Sequence, residues 1–223
     1  MTMQVQPEAA YAHAQPVGTA PSLSYRTVVK RVLDITLVVM SAPLVVPLVL
    51  VLAVLVALDG GRPFYSQMRL GRGGRGFRMW KLRSMVADAD ARLAAHLAAN
   101  PDARAEWDRD QKLTDDPRVT PLGAVLRSLS LDELPQLWNV LMGDMSLVGP
   151  RPMMPSQRAM YPGQAYWRLR PGLTGPWQVS ARNETSFAAR AEFDRAYDAA
   201  CSLVGDLRLL GATVGVVLRA TGR

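Results

Sequence analysis

The chain has 223 residues, 49% of them hydrophobic, and a formal net charge of +7. Its length fits one domain with a sizeable core, and its apolar content excludes disorder over most of the chain. The single cysteine, Cys201, excludes an intrachain disulfide framework and a cysteine-based metal cluster. The two histidines, His13 and His96, stand in a polar leading segment and a soft helical stretch, which offers no histidine-rich zinc site. The positive charge suits phosphates, nucleic acid or an anionic membrane without choosing among them.

Residues 1–24 are rich in Gln, Ala, Pro, Ser and Thr and read as a mobile tail, without the apolar core and cleavage site of a signal peptide. Arg26, Lys30 and Arg31 then precede an apolar run at 37–58, 22 residues in which only Ser41 is polar. About 20 apolar residues suffice to cross a bilayer as a helix. The basic residues before the run would anchor it at the cytoplasmic face. Pro43 and Pro47 lie four apart on one helical face, and each removes an amide hydrogen. The run therefore reads either as a kinked span or as a bent hairpin that returns to the face it entered. Residues 60–87 contain no Asp or Glu but carry Arg62, Arg69, Arg72, Arg75, Arg78, Lys81 and Arg83. Strand-like pieces at 64–67 and 77–82 flank a Gly-Arg-rich turn, a basic hairpin suited to lipid headgroups or substrate phosphates. Residues 86–109 predict one helix, or two broken near Asn100-Pro101, with Trp107 as a packing anchor.

The chemistry-bearing residues concentrate between 113 and 151. The spacing predicts a helix with Asp132 at its N-cap, Pro135 at the third position and Leu134, Leu137, Trp138 and Leu141 along one stripe. The Asp132-Glu133 pair would then sit at the positive end of the helix dipole, where amides bind phosphate oxygens and paired carboxylates hold a magnesium ion. Such a site suits attack on phosphorus. A structural reading competes on even terms: Ser130-x-x-Glu133 matches a capping box, and Asp132 could itself be the cap. Pro135 disfavours the Ser130 cap. Arg151, in Val148-Gly149-Pro150-Arg151-Pro152, is held by flanking prolines and suits phosphate or uracil contacts. Around Thr174, the rigid Arg170-Pro171-Gly172-Leu173-Thr174-Gly175 turn exposes backbone amides. Trp177 and Gln178 either line a sugar or base pocket or fill the core. Residues 187–218 read as helices whose notable polar residues are Asp194, Tyr197, Asp198 and Asp206.

Long ordered blocks carry a resemblance: Lys30-Arg31-x-x-Asp34, Pro47, Gln67-x-Arg69-x-Gly71, Lys81-Leu82-Arg83-Ser84-Met85, Thr114-x-Asp116-Pro117-Arg118-Val119-Thr120, SLDELPQLWNVLMGDMSLVGPRP at 130–152 and RPGLTGPWQVSAR at 170–182. Over roughly 25–220 the chain resembles the bacterial sugar transferases, which move a sugar-1-phosphate from a nucleotide sugar to polyprenyl phosphate and start exopolysaccharide, O-antigen or glycan assembly. The resemblance implies Asp132 as nucleophile, Glu133 as its partner in holding Mg2+, and UMP as leaving group. It further implies donor contacts from Arg151, a phosphate-binding surface with Lys81 and Arg83, and a site bordered by Asp116 and Arg118, with Thr174 and Gln178 on the substrate side. It implies an α+β, mainly helical monotopic membrane protein: a tail at 1–24, a re-entrant membrane helix at 25–59 broken at Pro47, then a small basic β-hairpin and a cytoplasmic catalytic domain at 60–223. The partners are a UDP-sugar, polyprenyl phosphate and membrane phospholipid, and the place is the bacterial inner membrane. Larger members carry four further transmembrane helices in front, so the chain reads as a minimal version. Two positions depart from the family pattern: Val46-Pro47 replaces Ser-Pro, and Ser180-Ala181-Arg182 replaces Ser-Gly-Arg.

Two other readings remain open, a phosphotransferase with another donor and a non-catalytic basic scaffold for a polysaccharide assembly complex. The apolar run and the lack of a nucleic-acid motif argue against nucleic-acid binding. Donor sugar, polyprenyl length and self-association are not written in the sequence.

Overall fold

A computed structural model describes residues 25–58, 60–110, 113–180 and 187–218. The expected tail at 1–24, and Ala181 and Arg182 of the second departure, lie outside the described residues.

A wide π turn over Tyr25–Val29 leads into helix α1, Lys30–Ala57. Pro43 and Pro47 both lie inside it, and at Pro47, the expected breaker, the backbone stays helical. Tyr25–Ala57 is long and apolar enough to cross a membrane, and only 17% of its most apolar window is buried, unlike the core helix of a soluble protein. Burial is confined to the two ends: Lys30, Asp34 and Val38 at one, Leu52, Ala53 and Val56 at the other. Between Val38 and Leu52 no residue is buried. At about 1.5 Å per residue this bare stretch is roughly 20 Å long, short of the ~30 Å hydrocarbon core. A long apolar helix left mostly bare matches a monotopic membrane protein, with the rest of the described chain mainly helical.

The chain folds into two compact units. One comprises Ala42–Ser66, Trp80–Pro135 and the residues from Val216 on. Here the second half of α1 packs through Leu52, Ala53 and Val56 on Leu82 and Leu126. Strands β1, Phe64–Leu70, and β2, Gly76–Leu82, form a two-stranded sheet whose base belongs to this unit. Helices α2, Ala89–Ala99, and α3, Pro101–Asp110, break at the expected place. Asn100 caps α3, its Oδ1 accepting from the amides of Asp102 and Ala103 at 3.1 Å each, with Pro101 in the first turn, where no amide is needed. Helix α4, Pro121–Ser128, is capped by Thr120, whose Oγ1 accepts from the Gly123 amide at 2.9 Å. Gly123 is required here: an added Cβ would sit 2.0 Å from the Ser84 carbonyl oxygen.

The other unit comprises the residues up to Ser41, Gln67–Met79 and Gln136–Gly215. It holds helix α5, Gln136–Met142, strand β3, Ser146–Val148, helix α6, Ala165–Arg168, strand β4, Gly172–Thr174, and helices α7, Pro176–Ser180, α8, Arg190–Ala200, and all but the last turn of α9, Leu203–Leu218. β3 and β4 pair in parallel, Ser146 opposite Gly172 and Val148 opposite Thr174. Val38, Phe77, Met79, Val140, Val148, Leu169 and Tyr197 belong to its core. The basic residues ahead of the apolar run, expected to anchor it at the cytoplasmic face, are engaged inside this unit. Arg26 pairs with Asp198 at 2.9 Å, Lys30 with the buried Asp206 at 2.5 Å, and Arg31 donates to the Val140 and Leu141 carbonyls at the end of α5. Asp34 accepts from Ser146 Oγ and the Leu147 amide at the start of β3. The Lys30-Arg31-x-x-Asp34 motif thus ties the membrane helix to three separate elements.

Candidate active site

The acid pair lies in a short 3-10 turn, Leu131–Glu133, and α5 begins only at Gln136. Asp132 is therefore not the N-cap of that helix, and Pro135 stands ahead of it, where its missing amide costs no helical bond. Ser130 adopts a left-handed backbone, φ 56°, and its side chain makes no capping bond. The expected capping box does not form. Of the predicted apolar stripe, Leu137 and Leu141 pack against the core, but Trp138 is exposed, while Gln136, Asn139 and Val140 face inward. Asn139 turns inward because its Nδ2 donates to the Arg78 carbonyl at 2.8 Å.

Strand β2 delivers Lys81 to the acids. Its Nζ lies 2.7 Å from Glu133 Oε1 and 3.4 Å from Asp132 Oδ2. Asp132 is 5% exposed. Burial pushes its carboxyl above the usual carboxylate range, Lys81 and Arg127 pull it back, and the Glu133 charge raises it further. Arg127, on α4, donates through Nε to Ser84 Oγ at 2.9 Å. Lys81, Asp132 and Glu133 are thus assembled in one cluster with Arg127 as a neighbouring charge.

The other expected residues are placed as follows. Arg83 donates to the Val56 carbonyl in the last turn of α1 at 2.9 Å. Asp116 and Arg118 bind each other, Nε and Nη2 donating at 2.8 and 2.7 Å, and the Arg118 guanidinium stacks on Trp107. Burial works against the Asp116 charge, but the Arg118 hydrogen bonds outweigh it and hold the carboxyl low. In the other unit, Arg151 lies 5.8 Å from the Trp177 ring centre. Thr174 Oγ1 is 2.6 Å from Thr213 Oγ1, and Gln178 is buried, its Oε1 without a hydrogen-bond partner among the described residues.

Residues 25–220 match the model of the family described as bacterial sugar transferase. The chain belongs to that family. It is 46% identical over 195 residues to the UDP-galactose-lipid carrier transferase of Erwinia amylovora, covering 86% of this chain and 41% of that protein. It is 44% identical over 196 residues to the exopolysaccharide production protein ExoY of Rhizobium meliloti (strain 1021), covering 86% and 87%. With the undecaprenyl-phosphate galactose phosphotransferase of Salmonella typhimurium the identity is 45% over 195 residues, covering 86% and 41%. The chain spans less than half of the Erwinia and Salmonella proteins and most of the Rhizobium one.

Among the described residues, no three His, Cys, Asp or Glu side chains gather at one point. A carboxylate pair still fits a magnesium ion, which keeps several waters and commonly takes only one or two protein carboxylates together with substrate phosphates. Lys81 between the two acids marks where positive charge is called for. Sequence reasoning missed Arg127, Ser84 and Arg190. Arg127 and Ser84 meet only once α4 packs on the residues after β2, and Arg190 counts only once α8 brings it onto Trp177.

Proposed function

We propose that the protein transfers a hexose-1-phosphate from a UDP-sugar to undecaprenyl phosphate, releasing UMP, at the start of exopolysaccharide or related glycan assembly. The observation that carries this reading is the buried Asp132, beside Glu133 and Lys81 and free of any capping duty, in a membrane-associated chain. The names of the relatives, which refer to UDP-galactose, undecaprenyl phosphate and exopolysaccharide, support the substrate classes.

In this reading an Asp132 carboxylate oxygen attacks the phosphorus that bears the sugar. The bond from that phosphorus to the bridging oxygen breaks, its electron pair leaves with UMP, and an aspartyl-phosphosugar forms. A phosphate oxygen of the lipid then attacks the same phosphorus and displaces the Asp132 carboxylate, giving the polyprenyl diphosphate-linked sugar. Lys81 holds the two acids together and offsets part of the burial that raises the Asp132 carboxyl. Asp132 and Glu133 would hold Mg2+, which supplies charge neutralisation for the phosphates. Arg151 takes the phosphate or uridine side of the donor. UDP-sugars are cytoplasmic, which puts the catalytic units on that face of the membrane.

The test uses purified protein in detergent with magnesium, undecaprenyl phosphate and a panel of UDP-sugars. Lipid-dependent UMP release from one donor, lost in Asp132→Ala, is expected. Absence of release from every donor by a folded protein would overturn the donor assignment.

A further inference from the structure

Four consecutive residues, 81–84, join the last turns of α1 to the acid pair, and all of these contacts lie within one unit. Lys81 reaches Glu133 at 2.7 Å and Asp132 at 3.4 Å. Leu82 is fully buried in the cluster that joins Leu52, Ala53 and Val56 of α1 to Leu126, with Leu131 packed against it. Ser84 accepts from Arg127 Nε at 2.9 Å. Lys81, Arg127 and Asp132 thus each stand next in the chain to a leucine seated in the cluster that α1 builds.

Arg83 works at the helix end itself. Its Nη2 donates to the Val56 carbonyl at 2.9 Å, and its amide donates to the Pro63 carbonyl at 2.8 Å. The last carbonyls of a helix carry the negative end of its dipole and welcome a cation. α1 has no basic residue in its own last turn, so Arg83 brings that cation from the residue after β2. Gly61 lets the guanidinium lie close: an added Cβ would sit 3.0 Å from Nη1 and 3.1 Å from Cζ. These contacts fix the backbone one residue from Leu82 and two from Lys81.

We infer that Arg83 is a positioning residue: by fastening residues 81–84 to the exit end of α1, it holds Lys81 against Asp132 and Glu133. It acts on turnover through Lys81 and not through the substrate phosphates, and the membrane helix is the mount of the acid pair. The effect on turnover rests on the proposed function; the mounting itself does not.

The experiment compares Arg83→Gln, Arg83→Lys and Gly61→Ala with the parent in detergent, with magnesium, undecaprenyl phosphate and a panel of UDP-sugars. Arg83→Gln is expected to lower kcat for UMP release by roughly 10- to 100-fold, the cost of a reacting group displaced by about 1 Å. KM for the UDP-sugar should stay within about twofold, as when ground-state binding is untouched. Arg83→Lys keeps a donor and a cation at the helix end and should recover kcat to within about threefold of the parent. Gly61→Ala keeps the charge but crowds the guanidinium, and should lower kcat by about two- to fivefold with KM unchanged. Hydrogen–deuterium exchange gives a readout independent of turnover. In Arg83→Gln the Glu133 and Leu134 amides, which donate to the Ser130 and Leu131 carbonyls, should exchange about tenfold faster, with the amides of α8 in the other unit unchanged.

A raised KM with kcat kept would overturn the inference and make Arg83 a substrate contact. Loss of kcat with unchanged exchange in the acid-pair turn would overturn it too, as would faster exchange throughout both units, which describes general loosening. If Arg83→Gln does not fold, Gly61→Ala carries the same two readouts. If the parent releases no UMP from any donor, the transferase reading falls, and the exchange comparison still decides whether Arg83 mounts the acid pair.

Discussion

Asp206 and Asp132 are both buried aspartates facing a lysine, and they are built for opposite ends. Asp206 is fully buried and accepts from Lys30 at 2.5 Å and from the Tyr25 and Tyr197 hydroxyls at 2.7 Å each. Asp132 receives a 3.4 Å contact from Lys81, whose shorter contact is to the adjacent Glu133. Three good donors engage the Asp206 carboxylate and leave it little to offer, as befits a clasp at the start of the membrane helix. Asp132 keeps acceptor capacity beside a second negative charge, the condition for binding a cation or attacking phosphorus. Burial does not separate the clasping acid from the proposed nucleophile here; the supply of donors does.

The largest effect expected is on turnover. Asp132→Asn should lower UMP release by roughly 10⁴-fold or more, as for a nucleophile whose loss disables the reaction. Its melting temperature in detergent should not fall, because a poorly supplied buried charge is being neutralised. A fall as large as that of an Asp206 variant would break the comparison. Asp206→Ala should do the reverse and destabilise the fold by about 3–5 kcal/mol, since it leaves Lys30 buried without its counter-charge. Thermal unfolding reads this directly.

Asp194 lies between the two extremes and sharpens the rule. It is buried, accepts from Tyr161 and faces Arg190, and burial pushes its carboxyl from 3.8 up to about 6 in spite of them. The folded state therefore holds this proton more tightly than the unfolded chain does. Its contribution to stability is full below the ordinary value near 3.8 and is lost as pH rises through about 6. Between pH 4 and 7 the parent should lose on the order of 2–3 kcal/mol relative to Asp194→Asn. Parallel stability curves for the two proteins would contradict this. The smallest effect belongs to the exposed Asp88–Arg92 pair on α2, 3.2 Å apart. Arg92→Ala should change stability by less than about 0.5 kcal/mol.

Much of the fold was legible because its signals are local. The apolar run announces α1, the Gly-Arg turn announces the hairpin, and Asn100-Pro101 marks the break between α2 and α3 through a cap and a proline suited to a first turn. Other features depend on distant partners. Lys30 and Arg31 read as membrane anchors until Asp206, 176 residues on, and the Val140 carbonyl, 109 residues on, claim them. The acid pair was legible as residues but not in its setting, because the left-handed Ser130 and Pro135 delay α5 to Gln136 and turn a predicted cap into a separate turn. Arg118 and Asp116 were expected to border the site, and their pairing with each other, two residues apart, was not assigned from the sequence.

The most direct test of the central claim is mass spectrometry of the protein incubated with magnesium and its UDP-sugar donor, without lipid acceptor. The account predicts a mass gain of one phosphosugar on the peptide containing Asp132, accompanied by UMP and absent in Asp132→Asn. Lipid-dependent UMP release with no adduct under any donor condition would contradict it and show direct transfer from donor to lipid.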